Sequence, residues 1–127
     1  MPAFSQDQVP IEFEADIALI RGIDQGGMTI AFERLSAGVD TAPLYQGLPD
    51  DACQSPHWGY VISGRLRVIA TDGTEETAQA GQAYYLPPGH NVVVEADTLV
   101  VEFSPSHERA ETMEHAAKVM AAAAAGA

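Results

Sequence analysis

A rhythm of turns constrains this chain more than any other feature. Stretches of alternating or β-rich character cover residues 11–20, 28–35, 58–62, 65–71, 76–78, 83–86, 92–95 and 99–103, and short strands spaced like this belong to sandwiches and small barrels. Turn-forming residues stand between them, among them Gly26-Gly27, Ser63-Gly64, Asp72-Gly73, Ala80-Gly81 and Pro87-Pro88-Gly89. Asp72-Gly73 has the chemistry of a type I′ hairpin turn, in which both central residues take positive φ. The expected fold class is all-β.

After Pro105 the pattern changes. Ser106 is the expected N-cap of a helix over about 106–122, acidic residues crowd its first turns, and Met113, Ala117 and Met120 form an apolar stripe at helical spacing. With 127 residues, 46% of them hydrophobic, the chain supports one domain over 1–127 with a barrel core over about 11–105. A formal charge of −12 leaves no basic tract to meet phosphates or anionic lipid, so nucleic acid and membrane are poor partners and a small molecule is the expected one. No apolar run approaches the ~20 residues of a membrane helix. Cys53 is the only cysteine, which excludes an intramolecular disulfide. The N-terminal residues lack the basic and apolar regions of a secretory signal, so a reducing, cytoplasmic setting is expected.

The stretch from Pro56 to Pro105 contains His57-Trp58-Gly59-Tyr60-Val61-Ile62-Ser63-Gly64-Arg65-Leu66-Arg67-Val68 and, after a hairpin, Gly81-Gln82-Ala83-Tyr84-Tyr85-Leu86-Pro87-Pro88-Gly89-His90. It resembles the cupin superfamily. Gly81, Pro87 and Gly89 fall in register with the second cupin motif, and Gly64 with the glycine that ends the first. The wider run from Gly47 to Tyr60 looks like a subgroup of small bacterial single-domain cupins. The resemblance implies a jelly-roll β-barrel followed by the C-terminal α-helix, with metal ligands on neighbouring strands. Those ligands do not carry over intact. His57 stands where the first motif has its Glu, Asp51 and Cys53 stand at its two His positions, and Val92 and Ala96 stand at the His and Asn of the second motif.

Strand parity offers a substitute set. His90 stands two residues before Val92 and shares its face, and Cys53 and His57 share a face if their segment is extended. The candidate metal ligands are therefore Cys53, His57 and His90. A thiolate and two imidazoles suit a divalent ion, Zn²⁺ ahead of iron, copper or manganese, and no organic cofactor is evident. The competing readings are a small buried hydrophobe for Cys53, a structural histidine for His57 and a solvated rim residue for His90. Asp51, beside Asp50 and after Pro49, reads as a turn residue. His57 and Glu102 are the candidate catalytic residues. Alternation with Val101 and Phe103 favours an outward Glu102. Turned inward, it is a fourth ligand or a carboxylate of raised pKa that shuttles protons. Gly59, Tyr84 and Tyr85 are the candidate substrate-pocket residues, Gly59 because its missing side chain leaves room for a ligand. Trp58 and Tyr60 read as outer-sheet or homodimer-interface residues.

Three functions compete. The first is a metal-dependent enzyme of unassigned substrate, the second a metal-free acid–base enzyme using His57 or His90 with Glu102, and the third a non-catalytic module that binds or senses a small molecule. The acidic balance points to a neutral or weakly polar ligand.

Overall fold

The computed structural model describes residues 2–126. Nine strands precede one long helix: β1 (Ile11–Ala15), β2 (Ala18–Gln25), β3 (Met28–Leu35), β4 (His57–Ser63), β5 (Arg65–Ala70), β6 (Glu75–Gln79), β7 (Ala83–Leu86), β8 (His90–Val94), β9 (Thr98–Pro105) and α1 (Ser106–Ala125). They form a six-stranded sheet in the order β1-β2-β3-β9-β4-β7 and a three-stranded sheet in the order β6-β5-β8. The paired strands run antiparallel. This is a jelly roll left open, with two sheets rather than one continuous ring of strands. Val61, Leu66, Val94 and Val100 are buried between the sheets as a common core. Among the described residues no helix is long and apolar enough to cross a membrane.

Three local expectations need correction. Residues 11–20 fold as two strands, because Asp16-Ile17 makes a tight turn between Ala15 and its partner Ala18. Neither residue takes positive φ, so the glycine cue that marks other hairpins is missing. The β5–β6 turn is not type I′, since Gly73 has φ +87° while Asp72 does not enter the left-handed region. Gly73 N–H donates to Ala70 and Ala70 N–H to Thr74, a longer loop that ends on the left-handed glycine. Ser106 is the first helical residue rather than the cap, and its hydroxyl accepts a 3.0 Å hydrogen bond from Thr29.

Strand alternation divides the residues of β9 between two environments. Thr98, Val100, Glu102 and Ser104 are buried, whereas Phe103 is 38% exposed. The opposite face of the sheet is apolar as well. Trp58 is paired with Phe103 and Tyr85 across the ladders, its ring lies 5.2 Å from that of Tyr85, and Tyr60 and Ile62 are also exposed.

Gly64 joins β4 to β5 with φ +94°, and a Cβ there would collide with Thr98 and the Asp97 carbonyl. Replacing it with Ala imposes both left-handed strain and overpacking. Gly64→Ala should cost about 2–4 kcal/mol in a urea unfolding experiment; an unchanged midpoint would contradict the geometry.

Candidate metal centre and cavity

Backbone pairing brings Cys53 to His90. Cys53 N–H donates to the His90 carbonyl at 2.9 Å, and Gly89 N–H donates to the Cys53 carbonyl at 2.7 Å. The residues before Cys53 make a 3-10 turn, Pro49–Asp51. His57 opens β4 opposite Leu86 of β7; a bend at Ser55 separates it from Cys53, so the bridge of Cys53 to His90 rather than one continuous strand sets where the thiol lies. Cys53 Sγ stands 3.5 Å from His57 Nε2, and the His57 and His90 rings meet edge-on with centroids 5.0 Å apart. One donor atom from each of the three lies within 4.8 Å of the others.

The donors fit a metal. Bonds of about 2.0–2.3 Å in a tetrahedron place ligand atoms roughly 3.3–3.8 Å apart; the Cys53–His57 separation already has that value. Both imidazoles are held by their other nitrogen. His90 Nδ1–H donates to the Pro87 carbonyl at 2.7 Å, which leaves Nε2 as its metal-binding nitrogen, and His57 Nδ1 shares a 2.5 Å hydrogen bond with Ser104 while its Nε2 faces Cys53. Burial lowers both histidines to about 4 and raises the Cys53 thiol to about 11. The imidazoles are therefore neutral at pH 7, the form that binds a metal.

Glu102 faces inward, against the outward orientation favoured from its neighbours in sequence. Because β9 lies inside an apolar sheet, Val101 and Phe103 are satisfied on the outer face and Glu102 takes the interior. Its Oε1 accepts a 2.7 Å hydrogen bond from Tyr84, and its Oε2 lies 3.7 Å from His57 Nδ1. Sequence reasoning missed its partners. Glu33 of β3 lies beside Glu102, near enough for the charge of one carboxyl to oppose ionisation of the other. Burial first, then the Glu102 charge, raises Glu33 to about 8, and burial raises Glu102 too. Arg109 of α1, only 6% exposed, pairs with Glu12 at 3.0 Å and reaches Glu33 at 4.0 Å. A charge at the head of the Met113–Met120 stripe was the available signal.

These groups line a cavity of about 900 Å³. Tyr84 lines it as expected. Tyr85 does not: it stands on the outer face, 53% exposed, because adjacent strand residues point oppositely. Gly59 has the expected inward parity, but the room it leaves is filled by the Tyr84 ring rather than by a ligand. Gly22 likewise opens the space that the Glu12 carboxylate enters. Asp51 is not drawn into the cluster; its carboxylate accepts from Gly47 N–H.

A carboxyl whose folded pKa is raised adds stability that is present below its ordinary value and lost as pH climbs through the raised one. Wild type should therefore lose stability relative to Glu33→Gln between about pH 4.5 and 8, the interval over which burial shifts Glu33. Urea midpoints measured across that interval with chelator present test this, and a pH-independent difference would refute the buried carboxyl pair.

Comparisons with known proteins agree with the architecture. No family model and no curated protein matches the chain. Among solved structures it is similar to an RmlC-like cupin from Shewanella frigidimarina, at 19% identity, 83% of this chain, 92% of that one and a TM-score of 0.59. It is also similar to ectoine synthase from P. lautus, at 14% identity, 83% of this chain, 78% of that one and a TM-score of 0.60. A third likeness is to a variant of Bacillus subtilis oxalate decarboxylase, at 17% identity and a TM-score of 0.58 over 80% of this chain; the chain spans 28% of that protein's length. With Gly64, Gly81, Pro87 and Gly89 at their motif positions and these neighbours in space, the chain has the cupin fold.

Proposed function

We propose that the chain is a metal-dependent enzyme acting on a small molecule held in the cavity, with Cys53, His57 and His90 as metal ligands and Zn²⁺ as the metal they suit best. The observation that carries this reading is the convergence of a thiol and two imidazoles, donor atoms within 4.8 Å, on the wall of a cavity of about 900 Å³. Three protein ligands leave a coordination position for water or substrate. A divalent ion held there supplies a Lewis acid for a substrate oxygen. Burial favours the neutral form of Glu102 and Glu33 near His57, so this end of the cavity carries both a proton donor and an acceptor. Tyr84 keeps Glu102 aimed by its hydrogen bond. Two neighbours named as a decarboxylase and a synthase support the enzyme reading. A reducing cytoplasm suits it, because Cys53 has to stay a free thiol to serve as a ligand.

Titrating Zn²⁺ or Co²⁺ into the protein tests the ligand set. One ion per chain should bind with release of about one proton from the Cys53 thiol. Co²⁺ should give thiolate charge-transfer absorption that Cys53→Ser abolishes. His57→Ala should weaken binding at least about 100-fold, equivalent to about 2.7 kcal/mol, and Val92→His should be tolerated or strengthen the site. Equal affinities in wild type and both ligand variants would remove the metal reading and leave His57 with Glu102 as an acid–base pair.

Two copies are expected to pair through the outer aromatic face of Trp58, Tyr60, Tyr85 and Phe103, whose exposed area is of the kind that association covers. Sedimentation should give twice the 13.5 kDa of one chain, reverting to one in the double variant Trp58→Lys/Tyr85→Lys. A wild-type monomer at micromolar concentration would refute the dimer.

A further inference from the structure

The buried polar side chains of the cavity gather toward one end, and the walls built by β8, β9 and α1 share this gradient, with Asp40, Thr41 and Glu114 as polar residues elsewhere in the lining. On β8 the inward residues are His90, then Val92 and Val94; on β9 they are Ser104 and Glu102, then Val100. All but Ser104 line the cavity. Along α1 the lining residues begin with Arg109 and Thr112 and continue as Met113, Glu114, Ala116, Ala117 and Met120. The Thr112 hydroxyl stands 4.0 Å from Cys53 Sγ, so the polar end of the helix meets the metal ligands. From Thr112 to Met120 the helix rises about 12 Å, and past Thr112 its lining residues are apolar except for Glu114, which is exposed at the cavity's border. The segment that follows β3 closes this apolar end: Val39 and Thr41 pair with Val94 and Val92 of β8, and Leu44 extends the lining toward α1.

Charge narrows the head group. Glu12, Glu33 and Glu102 line the polar end against Arg109 alone, and exposed Asp40 and Glu114 border the cavity at the surface. An anionic head would meet these acidic side chains on entry and at the site, whereas an uncharged oxygen-bearing head avoids that repulsion and still presents a lone pair to a metal. An apolar body some 12 Å long matches the bare helix face, and each methylene placed there leaves water.

We infer that the ligand is an amphipathic small molecule with one uncharged oxygen-bearing head, an alcohol or carbonyl, at the Cys53/His57/His90 end and an apolar chain or ring system lying along α1 toward Met120. The position of the head rests on the proposed metal reading; the placement of the body rests only on the cavity. A body of this length explains why the interior of so small a fold keeps such a volume unfilled beside buried Leu66, Val94 and Val100.

Binding of 1-alkanols from butanol to decanol, with n-alkanoates of equal length as the charged comparison, tests the inference by calorimetry on the full chain with and without Zn²⁺. Alkanol affinity should rise roughly fourfold per methylene, the fold-change equivalent of about 0.8 kcal/mol for burying one CH₂. Alkanoates of the same length should bind at least tenfold more weakly. Met120→Glu and Ala117→Trp, at partly or fully exposed positions that tolerate change, should reduce decanol affinity at least tenfold and leave butanol unchanged. Affinity independent of chain length, a preference for alkanoates, or a chain-length slope untouched by both variants would each overturn the inference. The slope persists in metal-free protein and in His57→Ala. A failed Zn²⁺ titration with the slope intact therefore removes the metal reading alone, and a flat slope with tight Zn²⁺ binding removes the amphipath alone.

Discussion

Burial of ionisable groups in one confined space is the constraint on which the rest of this structure depends. Glu102 is 7% exposed and Arg109 6%, and an ionised group taken out of water without a partner costs far more than any single contact returns. The interior meets this in two ways. Burial raises both Glu33 and Glu102, so the neutral form of a carboxyl is favoured over two neighbouring charges. Arg109 then balances remaining charge through Glu12 and Glu33. The same dehydration lowers His57 and His90, so one physical cause acts on both the carboxyl pair and the imidazoles.

The helix is part of this balance rather than an appendage. Arg109 reaches from α1 to β1 and β3, and Thr112 reaches Cys53. Since Arg109 without its carboxylates would be a buried unpaired charge, the ion pair fixes where α1 lies across the open side of the jelly roll. That placement turns the stripe ending at Met120 into a cavity wall. The glycines contribute by absence: Gly22 admits Glu12 and Gly59 admits Tyr84, so two polar side chains enter an interior whose strands would otherwise be filled.

Cys53, His57 and His90 stand beside the Glu33 and Glu102 carboxyls in one cavity, so under the proposed function a bound metal and an acid–base group would face the same substrate. Under the same proposal the apolar remainder of the cavity would supply binding energy away from the polar end, orienting a ligand without further polar contacts.

The amino-acid sequence by itself determined the strand rhythm, the C-terminal helix and the candidate set Cys53, His57 and His90. Turn glycines and period-two alternation are local properties, and parity joins His90 to Val92, whereas the bend at Ser55 leaves the approach of Cys53 to His57 to the tertiary fold. It also placed Gly59 and Tyr84 near the site. What only the tertiary structure decided was which face of a strand apolar on both sides is the inner one. Leu99, Val101 and Phe103 look like core residues in sequence, yet they point outward against Trp58, Tyr60 and their neighbours, and Glu102 goes in. The adjacency of Glu33 with Glu102 and Arg109 was equally invisible, since these residues lie on β3, β9 and α1, and no local pattern encodes which charges will share a desolvated space. Tyr85 differs from Tyr84 only by one step of the pleat, and the register of β7 against β4 decides which of the two faces the cavity.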